Sequence, residues 1–239
     1  APIPPIPISI PGRVSFSFGW FSMPDFLVLE PKARKPFAKL PWKAFRNKGT
    51  LGMAATLKEL TDFLVNLGIE QVAHTQKNYL AHLISVYKLM QAAGFDEELC
   101  RAGLFHSIYG TEKFQGFKLP LASRQELTDL IGSRAERLAY WNCLMDRGSL
   151  DGLLSQKEEP FLLRNRETGE AMPLTRRELD DLCSVHLFDW LEQAPRSRFG
   201  WDYRRQAYRQ MAERLGGPAV QKFDQVYAAA TENSSPLTP

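Results

Sequence analysis

Hydrophobic positions fall at helical spacing along most of the chain, starting near Met53. In ATLKELTDFLVNLG (55–68), Leu57, Leu60, Phe63, Leu64 and Leu67 recur every three or four residues and stop at Gly68. That pattern predicts an amphipathic helix. The stretch 73–94 puts Leu80, Leu83, Ile84, Tyr87 and Met90 on one side and ends at Gly94. DEELCRAGLFHSIYG (96–110) opens on acids, which suit a helix N-terminus, and ends at Gly110. Three segments begin with the pattern of a capping box: Ser123 with Glu126, Ser133 with Glu136, and Thr175 with Glu178. Helical patterns at 202–216 and 219–230 complete the run. Only PFLLRNRETGEAMPLT (160–175) reads differently, as a hairpin turning at Gly169. The expectation is an all-α domain of about seven or eight helices over residues 53–232, with one small β-hairpin insertion.

The first 52 residues have another texture. APIPPIPISIPGR holds five prolines in thirteen residues, VSFSFGWFS has the alternation of a short strand, and the rest is broken by proline. These residues read as an irregular, proline-rich extension on the helical domain, and residues 233–239 as a polar tail. The extension carries eight Lys/Arg against two acids, a net +6, so the overall +3 conceals a mildly acidic body. Its aromatic residues alternate with small ones and not with bases, so nucleic acid is not the expected partner. A protein partner reached through residues 1–52 is the alternative role for the extension.

Composition narrows the setting. Hydrophobic residues make up 44% and charged residues 24% of the chain, as in a globular protein. No apolar run is long enough for a membrane span. Cys100, Cys143 and Cys183 form no CxxC pair and sit in apolar helical contexts, which predicts reduced core thiols. That points to the cytoplasm or another reducing compartment such as a plastid stroma.

The chemistry-bearing residues are few. The chain has four histidines: His74, His82, His106 and His186. His74 and His82 fall in the second helical segment, and His106 closes the third. His186 and Asp189 share a face of a later helix. Histidines from several helices with one carboxylate form a donor set for iron, zinc or manganese. The arginines at 196, 198, 204, 205 and 209 could grip a phosphate or carboxylate, or simply form a solvated helix start. There is no phosphate-binding glycine loop and no GxSxG element.

The order of these residues resembles the HD-domain superfamily of metal-dependent phosphohydrolases and its oxygenase branch, whose pattern is H…HD…D on an all-α fold. His82, His106 and Asp189 stand in the matching positions. Ser107 stands where that superfamily has aspartate. RAGLFHSIYGTEKF, IGSRAERLAYWNCLMDR and LFDWLEQ are more similar still to a family of HD-like domains of unknown function, in which serine follows the histidine. The likeness spans roughly residues 54–195.

The resemblance implies a divalent metal held by His82, His106 and Asp189, with His186, or else His74, as a further ligand. Glu112 or Asp146 would replace the missing carboxylate, and Glu112 or Tyr109 would donate or accept a proton. The implied function is a metal-dependent hydrolase or non-haem iron oxygenase acting on a small molecule. The alternative is a metal-free descendant of the fold that binds a ligand or a protein partner. Arg134 and Glu136 are expected to form an ion pair near the site.

Overall fold

The computed structural model describes residues 55–74 and 77–232. The proline-rich extension, its basic charge, its candidate strand and the polar tail lie outside the described residues.

The fold is all-α. Nine α-helices occur among the described residues: α1 Leu57–Asn66, α2 Tyr79–Ala92, α3 Glu97–Phe105, α4 Arg124–Ile131, α5 Ser133–Leu144, α6 Arg147–Leu153, α7 Arg176–Gln193, α8 Arg205–Leu215 and α9 Gly217–Glu232. A two-residue ladder pairs β1 (Ala73–His74) with β2 (Lys77–Asn78), and an antiparallel hairpin pairs β3 (Phe161–Arg164) with β4 (Ala171–Leu174). The hairpin is the one expected, with Gly169 at positive φ in its turn. Helix α6 was not visible in the hydrophobic pattern, because RGSLDGL is short and holds two glycines.

Local signals explain where the helices start. Thr175 and Glu178 form the expected capping box at α7, and Thr56 with Glu59 forms another at α1. The other two expected boxes do not form. Ser123 closes a 3₁₀ turn and makes no side-chain cap bond. Ser133 is already inside α5, whose N-cap is Gly132, and Glu98 accepts the Arg134 N–H at 3.1 Å instead. The freed Glu136 is buried and forms a two-bond pair with Arg124 at 2.7 and 2.9 Å. Arg134 does not pair with Glu136, as had been expected; it bridges Asp96 and Asp181.

Helix α2 starts later than the pattern suggests. Asn78 adopts an extended conformation and its side chain accepts the Ala81 N–H at 2.7 Å, which places the helix start at Tyr79. His74 is therefore on β1 and not on the helix. The buried stripe of α2 is Tyr79, His82, Leu83, Val86, Tyr87 and Met90, at ideal helical spacing. Leu80 and Ile84, expected on that side, are half-buried flanks.

Helix α7 is buried on nearly every side, from Leu179 to Leu191, as a central helix must be. Around it lie α2, α3, α5 and α8. Gly103 sets how closely α2 and α3 approach. A Cβ there would run into Met90 Sδ and meet Val86 Cγ1 at 3.3 Å. Gly103 thus leaves room for the Met90 and Val86 side chains where the two helices pack, one turn before His106.

Candidate metal centre

Three elements deliver the site. His82 lies on the buried stripe of α2, His106 is the C-cap of α3, and Asp189 sits in the last third of α7. All three are buried, with exposures of 0%, 2% and 6%. The two imidazole Nε2 atoms are 3.4 Å apart, and each is 3.2 Å from Asp189 Oδ1. They form a group able to hold a metal ion.

The far side of each ring is committed. His106 Nδ1 donates to the carbonyl of Gly103 at 2.7 Å. His82 Nδ1 donates to Glu192 Oε2 at 2.6 Å. With hydrogen on both Nδ1 atoms, the neutral rings turn Nε2 lone pairs toward one another and toward the carboxylate. Three acceptors facing one point in a buried space require a positive charge among them, whether a proton or a cation. A divalent ion of the kind bound by imidazole and carboxylate fits that donor set, and the acceptors behind the rings are those that orient ligating histidines.

The electrostatics agree. Burial opposes charge on His82, but the hydrogen bonds and charges of Asp189 and Glu192 outweigh it and raise its pKa. Burial would raise the Asp189 carboxyl, yet the His106 charge and the bonds from both histidines hold it well below the usual carboxylate range. Burial likewise opposes ionisation of Glu192, but His82 and Arg196 bring it down to about 2.

His186 does not join the group. Its Nδ1 donates to Asn142 Oδ1 at 3.0 Å, and its Nε2 accepts from Arg204 Nη1 at 2.8 Å. Burial, together with the Arg204 and Arg147 charges, pushes its pKa far down, so the ring is neutral and serves as a strut. Asn142 completes that strut by donating to the His106 carbonyl at 2.8 Å. Arg204 is the one non-glycine residue at positive φ among those described, and it is held there by Asp151, His186 and Tyr208.

The other expected residues also lie elsewhere. Ser107 is buried, but its hydroxyl lies 2.8 Å from the Tyr79 hydroxyl. That contact is a hydrogen bond within the core. Tyr109 donates to Glu136 at 2.8 Å, inside the Arg124 ion pair. Glu112 pairs with Lys113 at 2.9 Å near the surface. Asp146 caps α6 by accepting the Ser149 N–H at 2.6 Å. None of these three carboxyl or phenol groups joins the histidines.

A cavity of about 380 Å³ opens on the site, with His106 and Asp189 in its wall. Four cationic side chains line it: Lys113, Arg147, Arg196 and Arg198. Two of the arginines expected to grip an anion, Arg196 and Arg198, are thus at the cavity. Arg204, Arg205 and Arg209 are not, and pair with Asp151, Asp202 and Glu213 instead. Sequence reasoning missed Glu192 and Arg147. Glu192 follows Asp189 by one helical turn, the only signal that could have marked it as a partner of the site.

No helix among the described residues is long and apolar enough to cross a membrane. No curated protein and no solved structure matches the chain. The grouping of His82, His106 and Asp189 is compatible with an HD-like site, but no HD-domain family model matches to confirm it. Residues 63–147, which carry both histidines of the group but not Asp189, match the family model described as Domain of unknown function (DUF6817).

Proposed function

We propose that the chain is a metal-dependent enzyme of the hydrolase or oxygenase type. In this reading His82, His106 and Asp189 bind a divalent iron, zinc or manganese ion. One observation carries the proposal: three buried acceptor atoms converge within hydrogen-bonding distance, and each imidazole is fixed from behind by its own acceptor. A core built only for stability gains little from that arrangement, because two imidazoles and a carboxylate are costly to desolvate.

The ion, when bound, supplies Lewis-acid polarisation or redox chemistry. The chain's residues do the rest. Glu192 and the Gly103 carbonyl fix both rings and hold hydrogen on Nδ1. Asp189 supplies the negative charge that Ser107 does not. The cavity admits a small molecule to the His106 and Asp189 side of the group, while His82 stays sealed behind them. The three buried, unpaired cysteines support a reducing compartment.

Metal analysis of the purified protein, alone and after anaerobic loading with iron(II), tests this reading. One ion per chain that is lost in His106→Ala supports it. A protein that holds no ion after loading overturns it.

A further inference from the structure

The cations at the cavity divide into two kinds. Lys113 pairs with Glu112, and Arg196 pairs with Glu192. Neither the Arg147 nor the Arg198 guanidinium forms an ion pair among the described residues, although the Glu112 carboxylate lies close to the Arg147 backbone N–H and, against burial, the Lys113 bond and the Arg147 charge lower its pKa. Arg147 donates to the Tyr203 hydroxyl at 3.0 Å, and Arg198 lies over the Phe199 ring at 5.2 Å. Two guanidinium groups in the wall of one cavity, neither tied up in an ion pair of its own, are able to take an incoming anion.

Beside them is an apolar surface with no cover among the described residues. Phe199 is 44% exposed and stacks on Tyr203, with ring centroids 4.8 Å apart. Phe114 and Trp190 line the same cavity. Guanidinium forks fit carboxylate or phosphate oxygens, and aromatic faces take a flat ring.

We infer that this cavity is a subsite for a small organic anion with a planar body, whose charged group is held between Arg147 and Arg198. The inference rests on the metal-enzyme reading, since it names the substrate class of the same cavity. The anion would bring its flat part along Phe199 and Tyr203, and its reacting part toward His106 and Asp189.

The test is calorimetric titration of metal-free, chelator-treated protein with four probes: benzoate, phenyl phosphate, neutral benzamide and cationic benzylamine. The anions should bind one per chain, and the neutral and cationic probes should not. The stronger of the two anions identifies the headgroup. Arg147→Gln and Arg198→Gln should each weaken anion binding by about tenfold, with circular dichroism unchanged. Arg209→Gln, on the far side of α8, should bind as the parent does.

The inference fails if benzamide binds as well as benzoate. It fails equally if the double arginine variant keeps parental affinity, or if neither anion saturates below about 10 mM. A chain that binds the anion through both arginines yet holds no metal keeps the subsite and loses the metal reading. A chain that holds metal but ignores the anions does the reverse.

Discussion

His82 and Glu192 lie on different helices, 110 residues apart in sequence, and share a 2.6 Å hydrogen bond between Nδ1 and Oε2. The same glutamate oxygen accepts from Arg196, which lines the cavity. Glu192 therefore connects the sealed histidine to the open side of the site.

In the proposed metal site, that connection gives Glu192 the part of a positioning residue. Glu192→Gln should lower metal affinity by about 10- to 100-fold, as loss of an orienting carboxylate does elsewhere. Competition against a chromophoric chelator would measure it. Parental affinity in the variant would mean that the bond only ties α2 to α7.

Ser107 should prove structural. Ser107→Ala removes the hydrogen bond between the two buried hydroxyls, which costs about 1 kcal/mol. Urea unfolding should show that loss while metal content stays at the parental level. A Ser107→Ala protein that folds but holds no metal would show the serine to be part of the site after all.

The close approach of α2 and α3 should be sensitive to a single methyl group. Gly103→Ala forces a Cβ against Met90 and Val86. Overpacking of this kind costs about 1–3 kcal/mol, and it would spread the helices that carry His82 and His106. Both unfolding free energy and metal affinity should fall together. Loss of one without the other would break the link drawn here between helix spacing and site geometry.

His186 predicts a pH dependence. In the folded protein its pKa lies well below 6.5, through burial and the Arg204 and Arg147 charges. Below pH 6.5 the unfolded chain takes up a proton that the folded chain refuses. Stability is therefore lost as pH falls, with a slope for this group that approaches about 1.4 kcal/mol per unit well below pH 6.5. Metal-free parent and His186→Gln should differ in unfolding free energy by about 1 kcal/mol less at pH 5.5 than at pH 6.5. A difference that does not change with pH would show that the folded protein protonates His186.

Much of the fold was readable because helices announce themselves through spacing and stops. The periodic leucines of 55–68, the glycines at 68 and 94, and the Thr175–Glu178 box correspond to observed features, whereas α3 ends at Phe105, short of the expected stop at Gly110. Helix α6 was hidden by its glycines, and the start of α2 by an asparagine whose capping role depends on its own backbone angles. The two failed capping boxes show why a motif is weaker than a structure. A glutamate three residues on reaches back only when nothing stronger claims it, and Arg124 claims Glu136.

The site was readable in part for the same reason. His82, His106 and Asp189 could be singled out by order along the chain, and they do lie together. Partners across helices could not. Beyond its spacing one turn after Asp189, nothing in the sequence separates Glu192 from a solvated helix charge, or shows that His186 faces Asn142 and Arg204. Tyr109 and Glu112 sit near His106 in sequence, but Tyr109 bonds Glu136 and Glu112 pairs with Lys113.

The central claim is the position of the ion. Crystals soaked in manganese(II) or zinc(II) and measured at the metal's absorption edge would locate it by anomalous scattering. The account predicts one peak at about 2.0–2.2 Å from His82 Nε2, His106 Nε2 and an oxygen of Asp189. No peak among those three atoms, or a peak held by other residues such as His186, would contradict it.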